Sequence, residues 1–166
     1  MQTNEMFPES KGATLSPCRT YRYHLWREWE PNTGVCVFIG LNPSTADEYV
    51  DDKTIVRCGD FAKRWGYGRL EMVNLFAFRA TQPSDMKNAT DPIGPDNDAT
   101  LRETCERASK VVAAWGNDGV FLERYQDVVA QLSGVCELNC FSLTQLGQPI
   151  HPLYQKSTQE LRSYQL

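Results

Sequence analysis

The sequence has only two histidines, His24 and His151, and none of its six cysteines forms a C-x-x-C pair. That scarcity excludes ordinary zinc-finger spacing and the ligand patterns of iron–sulfur proteins. No stretch approaches the roughly 18 consecutive apolar residues of a membrane-spanning helix. The opening MQTNEMFPES lacks the basic region and apolar core of a secretory leader. No glycine-dense turn ending in Lys followed by Ser or Thr is present, which disfavours triphosphate hydrolysis of the P-loop type. Positive charge is not in excess either. The 17 Lys and Arg stand against 21 Asp and Glu, for a net charge of −4. Such a chain has no general attraction for DNA or anionic lipid, so a polyanion would have to be gripped by a local patch. A cytoplasmic protein without membrane contact is the expectation.

What is present describes one domain. The 166 residues are 41% hydrophobic and 23% charged, a globular composition with enough chain to bury its own core. The cysteines (Cys18, Cys36, Cys58, Cys105, Cys136 and Cys140) read as free, mostly buried thiols. Residues 1–18 read as a mobile lead-in. Arg19 to Trp29 alternates, with Tyr21, Tyr23 and Leu25 on one face and Arg22, His24 and Trp26 on the other, the pattern of a strand. Four apolar runs follow, near residues 35–40, 70–76, 110–115 and 136–141, each suited to a strand covered on both faces. Between them lie helical patterns. One begins at Asp51 and Asp52 and buries Ile55, Cys58, Ala62 and Trp65; the others cover residues 98–109 and 121–132. Residues 81–97 read as a long functional loop. Alternating strands and helices predict a three-layer α/β/α domain over residues 1–166, with a mainly parallel four-stranded sheet and an added N-terminal edge strand.

Ligands in such sheets bind beyond the carboxyl ends of the strands. The residues there are Gly40-Leu41-Asn42-Pro43-Ser44, then Asn74 with Phe76-Ala77-Phe78-Arg79, then Gly116-Asn117-Asp118, and finally Gly147 to Tyr154. Asn42 carries donors and an acceptor and suits either a water or a base edge, or else a turn cap. His151, stiffened by Pro152, suits hydrogen bonding to a developing oxyanion, acid catalysis, or a plain surface loop. The acidic run Asp47, Glu48, Asp51 and Asp52 suits a helix N-terminus; alternatively Asp47, Asp51 and Asp52 are weak candidates for holding Mg²⁺ against a nucleotide's phosphates. The Arg19–Trp29 strand interleaves basic and aromatic side chains, as single-strand binders do, although core packing explains the same alternation.

GLNPS at residues 40–44 resembles the G-(I/L)-N-P-G turn of the mismatch-specific branch of the uracil-DNA glycosylase superfamily, and HPLY at residues 151–154 resembles its late His-Pro motif. VNLFAFR at residues 73–79 is similar to the Asn-bearing second strand of some members. The resemblance implies a uracil-DNA glycosylase-like fold and hydrolysis of an N-glycosidic bond. In it Asn42 positions water and His151 stabilises charge on the departing base; these are the catalytic pair. Gly40, Leu41, Pro43, Ser44, Asn74, Phe76, Phe78, Arg79 and Tyr154 bind substrate. Asn74 reads the base, Phe76 or Phe78 stacks on it, Arg79 meets phosphate, and the Tyr154 segment enters the duplex. The implied partner is a nucleotide, a nucleobase or DNA, with no cofactor. Ser44 departs from the branch, which has glycine there. Over more of the chain, GLNPSTADEYVDDKTI, FAKRWGY, NLFAFRAT and HPLY are similar to a family of small bacterial and phage proteins classed only as a domain of unknown function. The alternative to hydrolysis is a nucleotide-binding protein of modified-base metabolism, non-catalytic or Mg²⁺-dependent.

Overall fold

The computed structural model describes residues 9–166. Its strands are β1 (Ser10–Leu15), β2 (Arg22–Glu28), β3 (Val35–Gly40), β4 (Arg69–Asn74), β5 (Lys110–Ala113), β6 (Leu138–Cys140) and β7 (Arg162–Ser163). Its helices are α1 (Lys53–Arg64), α2 (Pro83–Lys87), α3 (Asn97–Glu106) and α4 (Arg124–Leu132), with 3-10 segments at Asn117–Glu123 and Pro152–Tyr154. The strands form one sheet in the order β1-β2-β4-β3-β5-β6-β7. β4, β3, β5 and β6 run parallel, whereas β1, β2 and β7 join antiparallel.

The four apolar runs thus become adjacent parallel strands because each must be buried on both faces. Cys36, Phe38, Leu70, Met72 and Val112 point to one face, where α1 covers them with Ile55, Cys58, Phe61 and Ala62. Val37, Ile39, Val73, Val111 and Ala113 point to the other, beneath Leu101 and Cys105 of α3 and Val128 and Leu132 of α4. Asp52 caps α1, accepting from the Ile55 N–H at 2.9 Å. Among the described residues no helix is long and apolar enough to cross a membrane.

Three expectations need correction. The sheet has seven strands and is mixed, not four-stranded with one added edge strand. The Arg19–Trp29 strand is not the edge, because Ser10 to Leu15, assigned to the lead-in, pairs along its outer side from Ser10↔Glu28 to Leu15↔Arg22. The rest of that lead-in, residues 1–8, lies outside the described residues. The residue 81–97 loop contains α2 and the first residue of α3.

β2 and β4 are joined by more than their ladder. Glu71, 1% exposed, accepts from His24 Nε2 and Arg69 Nε, each at 2.6 Å, and from Arg107 beyond α3. Burial by itself would raise this carboxyl, but the His24 and Arg69 hydrogen bonds and the charge of Arg107 outweigh it, holding it down at about 2 against an ordinary 4.5. Because the folded value is depressed, the stabilisation is complete above the ordinary value and is lost as pH falls toward about 2. We expect denaturant titrations to show unfolding free energy falling through that window, and Glu71→Gln to cost about 3 kcal/mol at neutral pH. An unshifted midpoint in the variant would sink the assignment.

Candidate functional site

The pairing of β3 with β4 continues past both strand ends. Leu75 N donates to Gly40 O and Phe76 N to Leu41 O, each at 2.9 Å, and Ala80 N reaches Pro43 O at 2.9 Å. This zipper lays the GLNPS turn beside the exit of β4. Asn42 locks it: its amide nitrogen donates to the carbonyl oxygens of Pro43, Phe78 and Ala80 at 3.1, 3.4 and 2.9 Å. Carbonyl oxygens only accept, so the amide orientation is fixed and Oδ1 is left as the free atom, without a hydrogen bond among the described residues.

Asn74, at the end of β4, is 3% exposed. Its Oδ1 accepts from Arg22 Nη2 at 3.3 Å. Because a guanidinium only donates, the Asn74 amide nitrogen is the group left for a ligand. Gly40 makes room for it, since a Cβ on Gly40 would lie 2.8 Å from Asn74 Nδ2. Asn97 braces the same strand exit by donating to Asn74 O and Leu75 O, both at 3.0 Å.

His151 arrives from the far end of the chain. Residues 142–150 fold back on themselves, with Thr144 N donating to Gln148 O at 2.8 Å and Ile150 N to Ser142 O at 3.0 Å. Two contacts fasten this hairpin to the end of β5: Gly116 N donates to Pro149 O at 2.8 Å, and Trp115 Nε1 to Gln148 Oε1 at 2.9 Å. Gly116 turns there with φ +73, a region that disfavours other residues. From the opposite side Arg57 of α1 donates to Gln155 O. His151 Nδ1 accepts from Leu153 N at 3.1 Å. In the neutral ring the proton therefore sits on Nε2, which becomes a donor. Burial favours that neutral ring, moving it below the ordinary 6.5, with Asp52 pulling weakly the other way.

Asn42, Asn74 and His151 all line one cleft, with a volume of about 480 Å³, at the carboxyl ends of the parallel strands. Gly40, Leu41, Pro43, Ser44 and Tyr154 line it as well, and Tyr154 is 78% exposed at its rim. Three expected members are elsewhere. Phe76 is fully buried and packs on Phe121 at 5.6 Å. Phe78 rests on the core and meets Tyr21 edge-on at 6.1 Å. Arg79 lies back along the lead-in to β2, with Nη1 donating to Arg19 O at 3.4 Å. The backbone bonds Arg22 N to Ala77 O and Arg79 N to Thr20 O, each 3.0 Å, hold this segment against β2 and away from the cleft.

The acidic run is engaged internally. Glu48 accepts from both Arg19 terminal nitrogens at 3.1 and 2.6 Å, and Asp51 pairs with Arg27 Nε at 2.7 Å. Asp47 accepts from the Tyr49 and Val50 N–H groups, both at 2.8 Å, and those bonds hold its carboxyl low. Asp52 caps α1. Among the described residues no group of three or more His, Cys, Asp or Glu is arranged to hold a metal ion. These pairings also neutralise Arg19 and Arg27, which sequence reading offered as a basic strip.

Sequence reasoning missed several members of the cleft, including Arg22, Thr54, Met72 and Trp115, while Asp52, expected only as a weak metal candidate, lines it too. Arg22 is the most consequential. It is 2% exposed, and its Nη1 donates to Ala46 O at 3.2 Å. Burial pushes the guanidinium down to about 10, so it keeps its charge at neutral pH. On an alternating strand it reads as one more solvated arginine; only the antiparallel approach of β2 to the exit of β4 turns it inward.

Two outcomes follow. In ¹⁵N-resolved spectra at pH 7 the His151 ring is expected to be the Nε2–H tautomer and to titrate below 6.5. Protonation by pH 7, or an Nδ1–H ring, would overturn this placement. Gly40→Ala is expected to displace the Asn74 amide and weaken its bond with Arg22, lowering stability by about 1–2 kcal/mol in denaturant titrations.

A family model described as "Protein of unknown function (DUF1643)" matches residues 22–153. Neither the curated proteins nor the solved structures contain a match.

Proposed function

The chain belongs to this DUF1643 family, to which no activity is attached, and we propose that its cleft takes a nucleobase out of stack and hydrolyses the N-glycosidic bond that carries it, as in the uracil-DNA glycosylase superfamily its motifs resemble. One observation carries the reading. Asn42, Asn74 and His151 come from three distant segments to one cleft, and the bonds behind each leave one acceptor and two donors: Asn42 Oδ1, the Asn74 amide and His151 Nε2–H. A base with carbonyl oxygens on its edge is complementary to the two donors, and Met72 and Trp115 give it an apolar wall.

In this reading Asn42 Oδ1 accepts a hydrogen bond from the attacking water. The water oxygen forms a bond to C1′ as the C1′–N bond breaks, and the bonding pair leaves with the base. His151 Nε2–H donates to the base oxygen on which negative charge collects, and a neutral imidazole suits that role because it need not lose a proton to do so. Of the water's two protons one stays on the new C1′ hydroxyl and the other ends on the departed base. No step draws on a metal ion. A second reading, binding without cleavage, is favoured by the Asn42 amide's three backbone bonds, which give that residue a structural task independent of chemistry.

The test is release of free base from labelled oligonucleotides and from nucleotides, in the presence of EDTA. We expect release from the wild type. Asn42→Ala should abolish turnover while ligand still binds, since water positioning matters in the transition state. His151→Ala should slow turnover about 100-fold, or about 2.7 kcal/mol, the loss of one oxyanion donor. Binding with no release from any substrate would leave the second reading.

A further inference from the structure

Of the arginines near the sheet, Arg19, Arg27, Arg69, Arg107 and Arg124 each pair with a carboxylate. Arg22, Arg79 and Arg162 have no such partner among the described residues, and of these three Arg22 is the one buried in the cleft. Its two hydrogen bonds go to neutral oxygens, Ala46 O and Asn74 Oδ1, and its buried Nε–H has no acceptor. A buried cation with no carboxylate in contact is costly, since Asp52 and Asp47 act on it only from a distance, and an anionic ligand would supply a direct counter-charge. The same cleft is lined by Thr54 in the first turn of α1. First-turn N–H groups have no intrahelical acceptor, and the Asp52 cap takes that of Ile55, not that of Thr54. A buried guanidinium and the positive end of a helix therefore face one space.

We infer that this part of the cleft is an anion subsite and that the ligand is a free nucleotide, whose terminal phosphate meets Arg22 and the start of α1. This rests on the nucleobase reading of the cleft and extends it to a substrate class. A nucleic-acid strand is the other source of phosphate, and the surroundings disfavour it. Arg19 and Arg27 are neutralised by Glu48 and Asp51, Asp52 shares the cleft wall, and the chain carries a net −4. One compact anion can be accommodated, but Arg22 is the only Lys or Arg among the described residues lining the cleft, so a backbone of successive phosphates meets no second such cation there.

Calorimetric titration of the full chain with inorganic phosphate, deoxynucleosides, their 5′-monophosphates and a short single-stranded oligonucleotide tests this. The monophosphate of the recognised base should bind at least about ten-fold tighter than its nucleoside, the mark of a charge-assisted contact. Inorganic phosphate should compete with the monophosphate and leave nucleoside binding unchanged, and the oligonucleotide should bind no tighter than the nucleoside. In Arg22→Met the monophosphate-to-nucleoside ratio should collapse to near one. The ratio is the readout because Arg22 also holds Asn74, so absolute affinities will move. Should that variant not fold, phosphate competition on the wild type decides alone. Equal affinity for nucleoside and monophosphate overturns the inference and leaves the nucleobase reading standing. Tighter binding of the oligonucleotide than of the monophosphate also overturns it, in favour of a strand. Phosphate binding with no preference among bases overturns the nucleobase reading and keeps the anion subsite.

Discussion

The continuation of the β3–β4 ladder beyond its strands is the constraint on which the cleft depends. Two parallel strands normally part where their side chains stop being buried. Here the chains remain zipped through Gly40, Leu41 and Pro43 on one side and Leu75, Phe76 and Ala80 on the other. The Asn42 amide closes the far end of that zipper. Everything contributed by other elements is then positioned against it: Arg22 through Asn74, the β4 exit through Asn97, and the His151 hairpin through the end of β5. Side chains that would otherwise choose among several partners are left one role each, because the groups behind them can only donate or only accept.

The central sheet was legible in the sequence for a simple reason. VCVFI, LEMVN and KVVAAW are covered by helices on both faces, so their residues are apolar regardless of direction, with Glu71, Asn74 and Lys110 as the exceptions. β1 and β7 were not legible. Ser10 to Leu15 and Arg162–Ser163 lie at the sheet's margins, are mostly exposed or half-buried, and carry no period to read. β6 was expected as a longer strand than its three residues because the apolar stretch around it also supplies the core contacts of Phe141.

The cleft was legible in its motifs and not in its supports. Asn42, Asn74 and His151 follow apolar runs, and the rule that such sheets bind ligands beyond their carboxyl ends brought them together correctly. The same rule misplaced Phe76, Phe78 and Arg79, which also follow a strand but turn into the core or back along β2. One-dimensional position does not say on which side of a strand exit a residue lies; the antiparallel partner does. Arg22 was obscured by the same gap. The charge balance misled in the opposite direction. Asp52 does serve the helix start, as its cap, but Glu48 and Asp51 pair with Arg19 and Arg27 and leave Arg22 as the cleft's cation.

The sheet order has a kinetic consequence. Among β2, β4, β3 and β5 only the neighbours β3 and β4 are consecutive strands, and α1 lies between them, so each of these ladders closes a long loop before any contact compensates for it. Topologies of this kind fold slowly compared with locally paired ones. The cleft inherits that lateness, because its residues come from the beginning, middle and end of the chain. The cleft is complete only when the residue 142–150 hairpin has docked on the end of β5, the third parallel strand, and carried His151 to the exits of the other two.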